Sequence, residues 1–339
     1  MSAAAARSLT IHGMTRVLSV IQPTGDVQLG NLLGAIRHWV TAQHEADSLY
    51  CVVDLHALTT PQDPDELRTR TKAVAQLLLA VGIDPEISTL FVQSHVPAHT
   101  GLSWILECTA SFGELRRMTQ FKDKSDGAEF VSAGLFTYPA LMAADILLYD
   151  ADSVPVCDYQ RQHLELTRDL AVRFNSRYGE TFVVPEAAIP AVGARVMDLQ
   201  TPTNKMSKSA NSPQGTILVL EDLGSIAKKI KRAVTDTENE VRYDPAEKPG
   251  VSNLLEILGA ATGRSPAELA KGYTQYGPLK ADAGEAVVEL LAPIQARYRE
   301  LISDRGELSS LLHKGASKAR AVASATLDRA YDAIGFLRA

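Results

Sequence analysis

Five consecutive residues in the middle of the chain combine two lysines with two serines. They are Lys205-Met206-Ser207-Lys208-Ser209, within a segment rich in Asn, Pro and Ser where a helix is unfavourable. Lysine ammonium groups are mobile point charges that suit a pyrophosphate on which negative charge builds up during a transfer reaction. Most segments of this composition are solvated loops, but this exact string is a strong signal for phosphate-transfer chemistry.

A second candidate phosphate site lies near the start of the chain. Residues 17–25 form a β-rich run that stops at a proline and a glycine, and residues 29–43 follow with apolar positions at helical spacing. Glycines let the backbone approach a ligand closely, and a helix start offers free N–H groups. The turn is neither G-x-G-x-x-G nor a P-loop, and taken alone it is more typical of an ordinary strand-to-helix turn. The residues that could contact a nucleotide here are Gln22, Thr24, Gly25, Gln28, Gly30 and Asn31.

A third group of residues predicts a small aromatic pocket. Pro139 suits the first turn of a helix, and Tyr138, Met142 and Asp145 then fall on one face of that helix. An aromatic ring, a thioether and a carboxylate suit a flat aromatic ligand with one N–H donor, such as an indole. A carboxylate that accepts this N–H rejects phenylalanine, because an unpaired buried acceptor costs roughly 1–3 kcal/mol. The alternative, more common for a lone Asp, is that Asp145 has a capping role or pairs with an arginine in the core.

Strands alternate with helices through the first half of the chain. This pattern predicts a parallel sheet in an α/β fold, and such folds bind ligands outside the carboxyl ends of their strands. Strand signals stop after the lysine-serine string. We therefore predict a loose extension over residues 1–15, an α/β domain over 16–204 and a helical domain over 205–339. The predicted strands are 17–25, 48–58 and 88–96, and the predicted helices of the first half are 29–43, 64–82, 139–151 and 159–179.

Composition limits the class of protein. Of 339 residues, 45% are hydrophobic and 22% charged, which predicts a globular chain. No apolar run approaches the roughly 20 residues that span a bilayer, and no secretory signal is evident, so we expect a cytoplasmic protein without membrane contact. The net charge of −6 argues against a general nucleic-acid coat. Three scattered cysteines, and a proline between His95 and His99, argue against structural zinc.

Longer strings give the chain a specific resemblance. From about residue 17 it is similar to bacterial tryptophanyl-tRNA synthetases, which belong to the class I aminoacyl-tRNA synthetases. The strings that carry this resemblance include QPTGDVQLGNLLGAIRHWV, VVDLHALT, GELRRMTQFKDKS, TYPALMAADILLYDAD, QHLELTRDLAVRFN, KMSKS and KPGVSNLL. They extend over nearly the whole chain.

The resemblance implies both a fold and a reaction. The fold is a Rossmann-like catalytic domain with a helical, anticodon-binding C-terminal domain whose last helices return to the catalytic domain. The reaction joins L-tryptophan to tRNA(Trp) with ATP as substrate and Mg²⁺ held mainly by its phosphates. A homodimer is also implied.

The resemblance assigns roles to individual residues. Lys205, Lys208 and Lys124 are catalytic, with Lys124 in a polar loop that also contains Lys122. Arg195, Met206, Ser207 and Ser209 join the ATP-binding residues. Tryptophan contacts are Asp145, Tyr138, Met142, Gln160, His56, Gln120 and Val156.

Two single residues and one three-residue loop depart from the family pattern. Gln28 stands where the class signature has His, Leu18 where relatives often have an aromatic residue, and Cys157-Asp158-Tyr159 where an acidic loop is usual. One hypothesis is a divergent second copy with altered sensitivity to tryptophan-like inhibitors. Two other functions stay open at this point: an inactive or regulatory paralogue that binds tryptophan or RNA, and a tyrosyl-tRNA synthetase.

Overall fold

The computed structural model describes residues 15–127, 129–155, 161–188, 194–206 and 213–337. Five strands form its sheet: β1 (Arg16–Ile21), β2 (Asp47–Val52), β3 (Thr89–Val92), β4 (Ser153–Pro155) and β5 (Glu186–Ala188). The helices before β5 are α1 (Leu29–Asn31, the π-helical Leu32–Ile36 and Arg37–Ala42), α2 (Asp54–Ala57), α3 (Pro64–Val81), α4 (Ala98–Thr109), α5 (Phe112–Arg116), α6 (Thr119–Ser125), α7 (Ala133–Leu147) and α8 (Arg161–Tyr178). Those after it are α9 (Leu223–Lys231), α10 (Pro249–Thr262), α11 (Pro266–Ala270), α12 (Tyr276–Ser303) and α13 (Arg305–Ile334).

The strands form one parallel sheet in the order β3-β2-β1-β4-β5. In the register, Arg16 faces Asp47 and Ile21 faces Val52. The predicted Rossmann-like α/β fold is therefore confirmed. The strands are shorter than their apolar runs, because polar residues at the carboxyl ends turn into helical segments. The predicted strand 48–58, for example, ends at Val52, and Asp54 begins α2.

The two faces of the sheet bury different hydrophobic clusters. Tyr50 and Val52 belong to the first cluster, with residues of α1, α3, α10 and α12. Cys51 and Val53 belong to the second, with residues of α4, α7 and α8. This alternation follows from the two-residue period of a strand. The first cluster contains residues on both sides of position 205, and the predicted division into domains stays a prediction.

Helix α13 covers the edge of the sheet at β3. Its first half contributes Leu308 and Leu312 to the first cluster, and its second half contributes Ala319 and Ala323 to the second. The helix approaches the strand closely at Gly315, where an added Cβ would lie 1.8 Å from the Leu90 carbonyl oxygen. Only glycine fits this crossing. An edge strand covered in this way cannot pair with another chain.

Helix α7 begins earlier than its proline suggests. The hydroxyl of Ser132 accepts a hydrogen bond from the Leu135 N–H at 3.1 Å and caps the helix, so Pro139 lies in the interior. The prediction that Pro139 occupies the first turn is therefore wrong. A proline costs the helix one backbone hydrogen bond, but tertiary burial outweighs this local preference. Tyr138, Met142 and Asp145 keep their spacing within α7.

Across the described ranges, no helix is both long enough and apolar enough to cross a membrane. The expected N-terminal extension falls almost entirely on residues 1–14, which lie outside the described residues.

Candidate active site

The strand order places a crevice beside β1. The chain runs from β1 to β2 and β3 on one side, and β4 and β5 lie on the other side. In open parallel sheets, ligands bind at such a reversal, outside the carboxyl ends of the strands. Gln22 follows β1 at this end, and Asp54 and His56 follow β2. The predicted turn and pocket residues therefore meet at the same edge of the sheet.

The turn between β1 and α1 has the backbone of a close ligand approach. Gly25 has φ 72°, a left-handed conformation that favours glycine. Gln28 has an extended backbone just before α1, and its N–H donates to Asn31 Oδ1 at 3.4 Å. The Gln28 side chain is 7% exposed, and its Oε1 has no hydrogen-bond partner among the described residues. A buried acceptor in this position can take a hydrogen bond from a ligand or a water.

The segments before and after the lysine-serine string contact α1 and the turn that precedes it. Leu29 N–H donates to the Ile217 carbonyl at 2.9 Å, and Gln28 forms an antiparallel bridge with Leu218. The backbone of Lys205 pairs with that of Met197, whose N–H and carbonyl are both held by the Asn253 side chain. The two motifs are far apart in the sequence but adjacent in the fold.

The segment before the string also lies against α1. A Cβ on Gly30 would be 3.6 Å from Val196, and a Cβ on Gly34 would be 3.3 Å from the Ala194 carbonyl. Arg195, between these residues, is exposed, as is Lys205, whereas Met206 is buried. Ser207, Lys208, Ser209, Val156, Gln160 and the Cys157–Tyr159 loop lie outside the described residues.

Asp145 is the centre of a buried hydrogen-bond network. Its Oδ1 lies 2.6 Å from Gln93 Nε2 and 2.6 Å from His99 Nδ1, and its Oδ2 lies 2.7 Å from His56 Nε2. The Asp145 residue is only 2% exposed. Its partners are two histidines and an amide rather than the arginine of the alternative interpretation.

This network keeps Asp145 ionised. Burial alone raises the pKa of a carboxyl, but the interactions with His56 and His99 outweigh burial and lower the pKa of Asp145 to about 2. Each carboxylate oxygen can accept two hydrogen bonds. Oδ1 already accepts two, whereas Oδ2 accepts one from the described residues. One acceptor position on Oδ2 is therefore available to a ligand donor.

Tyr138 belongs to a neighbouring polar group. Its hydroxyl lies 2.6 Å from His163 Nε2 and 3.2 Å from Gln120 Oε1, and burial raises the pKa of Tyr138 to about 12. The Tyr138 and His56 rings meet edge to face with centroids 6.2 Å apart. The structure thus brings together four of the sequence-predicted pocket residues: His56, Gln120, Tyr138 and Asp145.

The second hydrophobic cluster includes residues of α4 and α7, the helices that carry His99 and Asp145. Leu18 and Val154 are buried in the second cluster, on β1 and β4, and the half-buried Met142 packs against that cluster. The cluster supplies the low-polarity surroundings in which hydrogen bonds to a ligand are most selective.

Lys122 and Lys124 lie on a helix, not in the loop that the sequence suggested. Residues 119–125 form α6, and both lysine side chains are exposed. The helix forms because Thr119 to Ser125 contain neither Gly nor Pro, and Phe121 packs against Phe136 of α7 with ring centroids 5.1 Å apart. Gln120 and Lys124 are thus one helical turn apart, on one side of α6.

Sequence reasoning missed Gln93, His99 and Tyr149. The sequence predicts only that His99 does not bind structural zinc with His95. In the structure His99 donates to Asp145, and His95 lies in a separate 3₁₀ turn. Among the described residues, no group of three or more His, Cys, Asp or Glu side chains is arranged to hold a metal ion. The available signal was the presence of polar residues in an apolar stretch around residues 88–106.

Comparison with known proteins defines the class first. A family model described as class I tRNA synthetases for tryptophan and tyrosine (W and Y) matches residues 10–292. The chain belongs to this family.

Individual relatives narrow the comparison. The chain is 56% identical over 329 residues to tryptophan–tRNA ligase 2 of Streptomyces avermitilis, which covers 96% of this chain and 98% of the relative. It is 55% identical over 336 residues to the tryptophan–tRNA ligase of Corynebacterium glutamicum, with 98% and 97% covered.

The fold is also similar to those of solved tryptophanyl-tRNA synthetases. The tryptophanyl-tRNA synthetase of Mycoplasma pneumoniae superposes with a TM-score of 0.89 at 36% identity, covering 96% of this chain and 98% of that one. The enzyme of Campylobacter jejuni, complexed with ADP and tryptophan, superposes with a TM-score of 0.82 at 35% identity, covering 95% and 100%.

Proposed function

We propose that this chain is a tryptophan–tRNA ligase. The tryptophan carboxylate attacks the α-phosphorus of ATP to give tryptophanyl-adenylate and pyrophosphate. The 3′-terminal adenosine of tRNA(Trp) then accepts the acyl group and releases AMP. The observation that carries this proposal is the 53–56% identity, over nearly the full length, to six relatives named tryptophan–tRNA ligase.

Tryptophan binds with its indole N–H directed at Asp145 Oδ2. The remaining acceptor position on this oxygen supports the assignment, because the ionised carboxylate cannot itself donate and selects a ligand with an N–H. Tyr138, Met142 and His56 surround the ring, and Gln120, with Gln160 and Val156, completes the contacts. Phenylalanine has no side-chain donor, so it leaves the acceptor unsatisfied.

ATP binds between the β1–α1 turn and the lysine-serine string. The Gln28 side chain supports this, because its Oε1 can accept a hydrogen bond from a ribose hydroxyl. The proposed contacts are Gln22, Thr24, Gly25, Gln28, Gly30, Asn31, Arg195, Met206, Ser207 and Ser209.

Charge stabilisation comes from lysines rather than from a protein nucleophile. Lys205, Lys208 and Lys124 neutralise the negative charge that grows on the pyrophosphate as the bond to the α-phosphorus breaks. ATP arrives with Mg²⁺ bound mainly to its phosphates, an ion that usually keeps several waters and needs few protein ligands.

The helical segment 205–339 binds the tRNA anticodon, and two copies of the chain form a homodimer. Both proposals follow from membership of the family, as does function in the cytoplasm, where translation takes place.

ATP–pyrophosphate exchange tests the proposal directly. We expect exchange with tryptophan, no exchange with tyrosine at the same concentration, and transfer of tryptophan to tRNA(Trp). Exchange with tyrosine alone would make the chain a tyrosyl-tRNA synthetase. Tryptophan binding without exchange would make it an inactive or regulatory paralogue. No contact in the described pocket favours either of these alternatives.

A further inference from the structure

We propose that Gln93, His99 and Tyr149 are positioning residues that give Asp145 its selectivity for an N–H donor. This inference rests on the proposed function. None of the three needs to touch tryptophan, since they act through the Asp145 carboxylate. Gln93, His99 and Tyr149 are 0% exposed, so the whole arrangement is shielded from solvent.

Gln93 fixes the carboxylate relative to the backbone after β2. Its Oε1 accepts a hydrogen bond from the Leu55 N–H at 3.1 Å, and its Nε2 donates to Asp145 Oδ1 at 2.6 Å. The first bond determines which end of the amide faces Asp145. Leu55 directly precedes His56, which itself contacts Asp145 Oδ2. Gln93 therefore connects the Asp145 carboxylate to the same backbone segment that carries His56.

Tyr149 supplies the second hydrogen bond of the His99 ring. His99 Nδ1 lies 2.6 Å from Asp145 Oδ1, and His99 Nε2 lies 2.8 Å from the Tyr149 hydroxyl. An ionised carboxylate only accepts, so Nδ1 carries a proton and donates. In the neutral ring Nε2 is then an acceptor, and the Tyr149 O–H donates to it. Without that hydroxyl, Nε2 becomes a buried acceptor that lacks its hydrogen-bond donor, and the His99 ring loses the contact that holds its orientation toward Asp145.

The two donors to Oδ1 restrict ligand hydrogen bonds to Oδ2. With Oδ1 saturated by Gln93 and His99, the one acceptor position available to a ligand is on Oδ2, beside His56. Loss of either donor leaves Oδ1 under-satisfied and lets the carboxylate rotate. The carboxylate then no longer presents a fixed acceptor to the indole N–H, and selectivity falls even if the pocket keeps its shape.

The experiment compares two substrates in ATP–pyrophosphate exchange. One is tryptophan, and the other is 3-benzothienylalanine, in which sulfur replaces the indole N–H. Tyr149→Phe removes only the hydroxyl, and we expect it to reduce the tryptophan-to-analogue ratio of kcat/KM about tenfold. The loss falls on tryptophan, mainly through KM. The matched control is Tyr50→Phe, which removes a buried hydroxyl that donates to the Trp39 carbonyl at 2.7 Å and leaves the ratio unchanged.

A second pair of variants guards against misfolding. His99→Asn retains an N–H near the position of Nδ1 and keeps more of the ratio than His99→Leu, which retains none. Equal losses with both substrates in Tyr149→Phe, or equal ratios in the two His99 variants, would overturn the inference. A wild-type chain that exchanges with neither substrate would overturn the proposed function instead, and the inference with it.

Discussion

The crossing of α13 over β3 makes Gly315 the position where one added methyl group should do the most damage. In Gly315→Ala the new Cβ would lie 1.8 Å from the Leu90 carbonyl oxygen. A carbon–oxygen contact is normally at least about 3.3 Å. The helix must therefore withdraw from the strand by about 1.5 Å, because the obstructing atom belongs to the backbone and cannot rotate away.

The energetic effect has two opposing parts. Alanine is a better helix former than glycine by about 1 kcal/mol. Overpacking against a rigid neighbour costs about 1–3 kcal/mol, and withdrawal also opens space around Ala316, Ala319 and Ala323, all 0% exposed. We expect a net destabilisation of about 2 kcal/mol.

Urea unfolding of the full chain measures this effect. The control is Gly277→Ala in α12, an exposed position where an added Cβ meets nothing within 4 Å. We expect the midpoint to fall in Gly315→Ala and to stay or rise slightly in Gly277→Ala. If both variants unfolded at the wild-type midpoint, close packing of α13 on β3 would be refuted as a source of stability.

Three further predictions concern charge. Lys124→Ala should lower the rate of tryptophan-dependent exchange about 100-fold, since a charge-stabilising group is worth about 3 kcal/mol. The control is Lys122→Ala, on the same exposed helix, which should have little effect on the rate. Equal losses of rate in the two variants would argue against a specific role for Lys124. Hydrogen bonds from the Arg173 side chain lower the pKa of Glu114 from 4.5 to about 2. The ionised Glu114 side chain therefore stabilises the folded state above about pH 4.5, and this contribution is lost as the pH falls towards 2. Glu114→Gln should therefore be less stable than wild type by about 1 kcal/mol at neutral pH, and urea midpoints should converge on acidification; a constant gap would contradict the assignment. Chelation of Mg²⁺ should abolish exchange but leave tryptophan binding by calorimetry unchanged, and failure of added Mg²⁺ to restore exchange would contradict the proposed requirement.

Local patterns in the sequence predicted most of the elements that position the site. Strand and helix periods fixed the α/β class, and helical spacing placed Tyr138, Met142 and Asp145 on one face of α7. Local sequence patterns gave a wrong helix start where tertiary contacts determine the extent of the helix. The sequence predicts that Pro139 lies in the first turn of a helix, but the Ser132 cap starts α7 at Ala133, six residues earlier.

The network around Asp145 could not be found from local patterns. Gln93 and His99 are separated from Asp145 by 52 and 46 positions in the chain. The sequence around Gln93 and His99 does not predict which distant residue their side chains contact. Their convergence depends on where β3 and α4 lie relative to α7, and only the assembled fold contains that information.

The same helix that closes the sheet edge also governs the order in which the protein can be completed. A ribosome makes β3 early, and the residues of α13 that cover it are added last among the described elements. Until then, Leu90 and its neighbours at the strand edge have no cover, and the apolar surfaces awaiting Leu312 and Ala319 remain open to water. Nascent or truncated chains that lack α13 are therefore the forms of this protein most exposed to aggregation and to proteases.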